Sequence, residues 1–152
     1  YEGGIRVPMI VRWPGKVKPG TLCDTPVISM DFYPTFLELA GLKPGKQPID
    51  GENLLPLFKQ SGELKRKAIY FHYPNYAWHM DNRLGSVIRE GNWKLIRNYD
   101  DNSLELYNLP EDLSEKKNVA KQNPKLAARL NQKLGNWLKA TGAPMPRPPK
   151  GN

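Results

Sequence analysis

Side chains able to recognise a sugar crowd one stretch of the chain, Phe71-His72-Tyr73-Pro74-Asn75-Tyr76-Ala77-Trp78-His79. Aromatic faces stack on the C–H side of a pyranose ring, histidine, asparagine and arginine bond its hydroxyl or sulfate oxygens, and loops are where such groups collect. His72, Asn75, Tyr76 and His79 are the candidate binding residues on this ground. The competing reading is structural, with the rings plugging the end of a sheet. As metal ligands the two histidines are poor, because no carboxylates stand near them at ligand spacing.

Two other spots invite chemistry and offer less. Cys23 is the single cysteine, so it forms no intrachain disulfide and no multi-cysteine zinc site. Asp24-Thr25-Pro26 follow it, neither histidine is near it in sequence, and it reads as a small buried or half-buried thiol rather than a nucleophile. Gly3-Gly4 lead through Ile5-Arg6-Val7-Pro8 into an apolar run. With no GxGxxG pattern and no P-loop lysine, they are backbone geometry rather than a phosphate cradle.

The elements that must position these residues follow from periodicity. Met9-Ile10-Val11-Arg12-Trp13, closed by Pro14-Gly15, predicts a short buried strand that needs parallel neighbours from outside this segment. Asp31 as N-cap, Phe32, Phe36, Leu39 and Ala40 at helical spacing and Gly41 as the stop predict an amphipathic helix. One or two helical turns are expected over Asn53 to Phe58, after an Asp50-Gly51 turn. From Ala68 the pattern changes to strands, at Ala68 to Tyr73, Ser86 to Arg89, Trp93 to Tyr99 and Leu104 to Leu109. Gly91-Asn92 and Asp100-Asp101-Asn102-Ser103 are hairpin turns, so at least the last three strands form an antiparallel meander. Alternation along the third strand predicts two faces of unequal burial. Asn123-Pro124 opens a terminal helix whose Leu126, Leu130, Leu134, Trp137 and Leu138 form one stripe up to Gly142, and this stripe covers the sheet.

The whole chain has 152 residues, 39% of them hydrophobic, with 13 Gly and 15 Pro and a mean hydropathy of −0.64. That is one domain, or a small domain plus part of another, with short elements and a modest core. Pro144, Pro146, Pro148 and Pro149 make residues 143–152 a flexible tail, an extended or mobile terminus. Net charge is +8 and the isoelectric point about 9.6, which favours polyanionic partners without choosing among them. No unbroken run of five like charges localises this charge. No stretch approaches the roughly 20 apolar residues of a membrane helix. The first residues have neither a basic nor an apolar leader pattern, and a start in mid-motif without methionine reads as part of a longer chain.

An ordered series of short motifs then resembles a known family. Tyr1-Glu2-Gly3-Gly4-Ile5-Arg6-Val7-Pro8, Ile10-Val11-Arg12-Trp13-Pro14-Gly15 and Asp31-Phe32-Tyr33-Pro34-Thr35 are similar to the second half of a type I sulfatase. So are Leu39-Ala40-Gly41, Asp50-Gly51, Leu54-Leu55-Pro56-Leu57, Arg89 to Ile96, Leu106-Tyr107-Asn108-Leu109, and Asp112, Glu115, Asn118 and Ala120. The resemblance implies an alkaline-phosphatase-like parent enzyme, secreted or periplasmic, that hydrolyses sulfate esters with a formylglycine nucleophile and a calcium ion. Its fold would be α/β and α+β: residues 1–64 end the catalytic α/β domain, residues 65–142 form a four-stranded antiparallel sheet packed against a C-terminal helix, and residues 143–152 are the tail.

The family's nucleophile motif, C/S-x-P-x-R, its acidic metal ligands and its sulfate-binding lysine lie ahead of the Glu-Gly-Gly motif. Cys23 does not match that motif, so no catalytic or metal-ligating residue and no cofactor is expected in these 152 residues. The loop from His72 to Arg83 corresponds to one that approaches the leaving group in relatives, which adds Arg83 to the candidates. Some relatives have a second histidine where this chain has Asn75. The implied partners are a sulfated carbohydrate or other sulfate ester and the N-terminal catalytic portion of the same protein, with no membrane or nucleic acid. The alternatives are a non-catalytic module for anionic glycans and part of a related phosphatase or phosphonate hydrolase.

Overall fold

The segments Ala68–Tyr73, Gly85–Glu90, Trp93–Asn98 and Leu104–Asn108 have the branched and aromatic residues of strands, and the turns after the second and third have a physical cause. In the computed structural model, which describes residues 1–75 and 82–147, they form β1 (Ala68–Tyr73), β2 (Gly85–Glu90), β3 (Trp93–Asn98) and β4 (Leu104–Asn108). All neighbours are antiparallel, in the order β1-β2-β3-β4. Gly91 turns β2 into β3 at φ +57° and Asn102 sits at φ +55° between β3 and β4, the left-handed conformation that Gly and Asn adopt most easily. The chain divides into two units, Val7–Lys67 on the one hand and Tyr1–Arg6 with the chain from Ala68 on the other.

Register places Ile88, Leu95 and Leu106 side by side on one face of the sheet, each with no exposed surface. The cover expected from the sequence is there: α4 (Pro124–Ala140) lays Ala127, Leu130, Leu134 and Leu138 on that row. Burying each such leucine contributes roughly 1.5–3 kcal/mol. Tyr70 of β1 stacks flat on Trp137 with ring centroids 4.7 Å apart. Gly142 ends the helix at φ +60°. Ala143 N–H donates to the Leu138 carbonyl and Gly142 N–H to that of Lys139, the paired bonds of a glycine-terminated helix. Asn123 holds the N-cap position without a capping bond from its side chain, and its amide nitrogen donates to the Val119 carbonyl.

The opposite face was expected to be the less buried one, and it is closed as well. Tyr1 and α1 (Glu2–Ile5) lie on it: the Tyr1 ring meets Tyr107 edge-on at 6.4 Å, and Glu2 reaches Lys94 in the middle of β3. Lys94 Nζ is 3.0 Å from Glu2 Oε1 and 2.8 Å from Glu115 Oε1. Glu2 backbone N–H donates to the Glu115 carboxylate, and Arg89 Nη1 stands 3.7 Å from Glu2 Oε2. Side-chain exposure is 1% for Lys94, 4% for Glu2 and 1% for Glu115. These bonds put Tyr1–Arg6 with the sheet, whereas the sequence grouped residues 1–64 together.

Within Val7–Lys67 the organising group is Asp31, which is wholly buried. Its carboxylate accepts two bonds from the Arg66 guanidinium, at 2.7 and 2.8 Å, and one each from the backbone N–H groups of Glu52 and Ile28. Asp31 does sit at the N-cap of α2 (Phe32–Leu39), yet its side chain makes no bond to that helix. Thr35, one turn on, donates to the Asp31 carbonyl and accepts Leu54 N–H, which ties α2 to the start of α3 (Leu55–Phe58). Gly51 has no alternative here, since a Cβ would fall 2.0 Å from the Met30 carbonyl oxygen.

Two expectations about secondary structure and its packing fail in this unit. Residues 9–13 form no strand, and Ile10 is 91% exposed; the unit Val7–Lys67 contains no other strand to supply the ladder partners such a run needs. The apolar stripe of α2 was expected to point inward. Phe32, Phe36 and Leu39 are exposed, and the two phenylalanines stack on each other with centroids 5.9 Å apart. The inward positions go to Asp31 and Thr35, which satisfy backbone donors that no apolar side chain could. Gly41 stops the helix as expected, at φ +67°.

Two outcomes test these interiors. Lys94→Met should destabilise the protein by about 3–5 kcal/mol in urea unfolding, because two facing carboxylates lose their counter-charge; adding Glu2→Gln and Glu115→Gln should restore most of the loss. Burial alone would push the Asp31 carboxyl up, but bonds from Arg66, Glu52 and Ile28 outweigh it and hold its pKa below the ordinary 3.8. A lowered folded pKa gives stability that is present above 3.8 and is lost as pH falls through the folded value. Amide-exchange protection of Ile28 and Glu52 should therefore fall in acid below that point, and Asp31→Asn should have low protection at every pH.

Candidate functional site

Antiparallel pairing brings the end of β1, the start of β2, the end of β3 and the start of β4 to one edge of the sheet. His72 lies one residue before the end of β1, Asn75 just beyond it, and Arg83 two residues before β2. The structure thus gathers these three candidates at one end. Tyr76 and His79 lie outside the described residues. Asn75 is exposed, and its carbonyl accepts a long bond of 3.4 Å from the Asn82 amide.

His72 is half-buried and both its ring nitrogens are occupied. Nε2 lies 2.7 Å from the Pro144 carbonyl oxygen and Nδ1 2.6 Å from Ser86 Oγ. A carbonyl can only accept, so Nε2 carries the proton. In the neutral ring Nδ1 then accepts from the Ser86 hydroxyl, which accepts in turn from the Tyr99 hydroxyl at 2.6 Å. The chain runs Tyr99 to Ser86 to His72 to Pro144, and the Tyr99 ring meets the imidazole edge-on at 6.1 Å. Ser86 is fully buried, so the imidazole is fixed in orientation, and it pins the first residues of the segment after α4 to the sheet. Ala143 packs on the core as well, so the proline-rich tail begins anchored.

Arg83 is exposed and charge-compensated. Its Nη2 lies 2.8 Å from Asp101 Oδ2 and its Nη1 3.7 Å from Glu105 Oε1. The Ser103 hydroxyl and backbone N–H, with Arg83, bring the Asp101 carboxyl down to about 2. Glu105 is a hub the sequence did not reveal. It accepts from the hydroxyls of Tyr107 at 2.6 Å and Tyr1 at 2.9 Å and from the Asn98 amide at 2.7 Å. Burial pushes its pKa up, but those three donors bring it below the ordinary value. Burial and the neighbouring Glu105 carboxylate push the Tyr107 phenol the other way, upward. A strand glutamate reads as solvent-facing, and only the return of Tyr1 across the sheet makes it a buried acceptor.

With Arg83 already facing two carboxylates, this end of the sheet is not a strong anion trap. Its free capacity is for neutral hydroxyls, offered by the exposed amide of Asn75 and the outer edge of the guanidinium. Among the described residues no cluster of three or more His, Cys, Asp or Glu could hold a metal ion, and the buried carboxylates of Glu2 and Glu115 face Lys94 instead. The donors present do not fit the calcium ion that the resemblance implies. Cys23, expected to be buried or half-buried, is exposed, because the irregular segment around it folds no apolar layer over it. No helix among the described residues is long and apolar enough to cross a membrane.

A family model described as N-sulphoglucosamine sulphohydrolase, C-terminal, matches residues 1–140. A sulfatase of Formosa agariphila is 36% identical over 160 residues, covering 95% of this chain and 29% of that protein. An N-acetylglucosamine-6-O-sulfatase of Bacteroides thetaiotaomicron is 33% identical over 123 residues, covering 78% of this chain and 22% of that protein. A solved structure of a complex with its substrate, D-glucosamine-2-N,6-O-disulfate, superposes with a TM-score of 0.61 at 32% identity, covering 72% of this chain and 23% of that one. The chain therefore spans less than a third of the length of each of these relatives. A four-stranded antiparallel meander backed by one helix and clasped by a Tyr-Glu-Gly-Gly segment, matched over residues 1–140, belongs to the N-sulphoglucosamine sulphohydrolase C-terminal family of sulfatases.

Proposed function

We propose that this chain works as the C-terminal part of an enzyme that hydrolyses the sulfate ester of a sulfated carbohydrate, releasing inorganic sulfate and the free sugar hydroxyl. The observation that carries this reading is the family match over residues 1–140. Two of the relatives are named for, or bound to, sulfated glucosamines, and that favours an amino sugar as substrate.

In this reading the chain's own contribution is recognition, not bond breaking. The end of the sheet that holds His72, Asn75 and Arg83 faces the leaving-group sugar. His72, fixed by Ser86 and Pro144, sets where the loop that follows β1 begins. Asn75 and the outer edge of Arg83 bond ring hydroxyls, and Tyr76 and His79 in the same loop complete the contact. Charge compensation by Asp101 and Glu105 suits this role, since it leaves the guanidinium able to donate to a neutral oxygen without capturing free sulfate. The exposed apolar face of α2 is where the rest of such an enzyme packs, a use consistent with the small share of each relative that the chain spans. The formylglycine and calcium of the resemblance belong to that larger enzyme, as does its periplasmic or secreted location.

Sulfate release measured by ion chromatography tests this. A polypeptide carrying this chain as its C-terminal part should desulfate 6-O-sulfated glucosamine, and the 152 residues alone should release nothing above background. In the active polypeptide Arg83→Gln should raise KM for the sulfated sugar about fivefold, the equivalent of roughly 1 kcal/mol for one exposed charged contact, and leave turnover of a simple aryl sulfate within twofold. Equal loss on both substrates would remove Arg83 from sugar recognition, and failure to release sulfate from any sugar would overturn the proposed activity.

A further inference from the structure

Glu115 is the last acidic residue of the chain, and nine of the 23 Lys and Arg come after it. The first 115 residues hold 14 cations against 15 acids. The entire positive excess therefore resides in the final quarter of the sequence, although no run of like charges marks it. Folding puts much of it on one surface. The 17 residues of α4 contain no Asp or Glu, and the inward side of the helix is taken by Ala127, Leu130, Leu134 and Leu138. At 100° per residue, Lys125, Arg129 and Lys139 fall on the side away from the sheet, and Lys133 stands on the flank, where it reaches Glu90. The first three are spaced four residues apart, about 6 Å along the axis, and Lys125, Arg129 and Lys139 are exposed.

Resting on the sulfatase reading, we propose that the outward face of α4 is a binding surface for the sulfated polysaccharide chain, with Lys125, Arg129, Lys133 and Lys139 pairing with successive sulfate groups. Other polyanions fit this surface less well. The only aromatic residue of α4 is Trp137, whose ring is stacked on Tyr70, so no platform is left for unpaired bases. Between its lysines the face offers only small or polar residues, such as Ala128, Gln132 and Asn136, and nothing that would insert into a bilayer. Regular spacing of cations along a rigid rod suits a polymer whose anions also recur at intervals, and each pairing releases counterions, so binding is salt-dependent.

One residue sets the strength of this surface from the side. Glu90, at the end of β2, bonds Arg129 Nη1 at 2.5 Å and also the Lys133 ammonium. Its carboxylate holds two of the four cations partly neutralised, so its removal strengthens the surface instead of weakening it.

The test is binding of a labelled heparin-type dodecasaccharide to the 152-residue chain, followed by fluorescence anisotropy over a range of NaCl concentrations. Lys125→Gln, Arg129→Gln and Lys139→Gln together should weaken binding at least tenfold at low salt. They should also make the plot of log affinity against log salt shallower by roughly two to three. The same number of changes at Lys16, Lys18 and Lys46 should leave affinity within twofold. Glu90→Gln should tighten binding about two- to fivefold, a gain that partial unfolding cannot imitate. The proposal is overturned if the two triple variants weaken binding equally, if Glu90→Gln gives no gain, or if the desulfated dodecasaccharide binds as tightly. It is also overturned if duplex DNA of equal charge, or phosphatidylserine vesicles, bind more tightly. Absence of sulfate release in the hydrolysis assay would leave these binding results standing, so the two readings fail separately.

Discussion

A lysine without contact to water holds this sheet closed. Lys94 sits in the middle of β3, and its ammonium is stable there only because Glu2 and Glu115 bring carboxylates to it from a point 92 residues before it and from the loop after β4. Such a group costs several kcal/mol to dehydrate, so its partners cannot be optional. Every part of the second face depends on that demand. Glu2 brings Tyr1 over Tyr107, Tyr1 and Tyr107 donate to Glu105, and Glu105 with Asp101 holds Arg83 at the end of the sheet where the candidate site lies. A hydrophobic residue at position 94 could pack as well but would not require Glu2, and the clasp of Tyr1–Arg6 would lose its register.

The same device organises the other unit. Asp31 is wholly buried and receives Arg66 from 35 residues away together with two backbone N–H groups. In both units a buried ion pair joins segments far apart in sequence where the apolar content is low, consistent with a hydrophobic fraction of only 39%. Directional bonds do here what a larger core does elsewhere, which is to choose one arrangement among many of similar burial.

Charge is distributed unevenly along this chain. The end of the sheet that carries His72, Asn75 and Arg83 is compensated, cation against carboxylate, and suits neutral hydroxyls. α4 has no acids of its own, and Glu90 pairs with its Arg129 and Lys133. On the proposed function a sulfated sugar presents both kinds of group, and the two surfaces would divide its recognition.

Local pattern determined a great deal. The four strands, their two tight turns, the terminal helix with its leucine stripe and its Gly142 stop, and the membership of a sulfatase family were legible because each depends on residues close in sequence or on an ordered set of motifs. Long-range demands were not legible. Nothing local distinguishes Lys94 or Glu105 from ordinary strand residues on a wet face, and only the return of Tyr1 and Glu2 across the sheet buries them. The stripe of α2 has correct helical spacing yet points outward, because Asp31 and Thr35 are needed inside to satisfy the backbone of Ile28, Glu52 and Leu54. The apolar run of residues 9–13 pairs with no strand, since a strand needs ladder partners and the unit Val7–Lys67 holds none. Sequence by itself determined the strands and helix from Ala68 onward and the family, and tertiary structure decided which polar groups are buried, because the cost of burying a charge is set by partners that arrive from elsewhere in the chain.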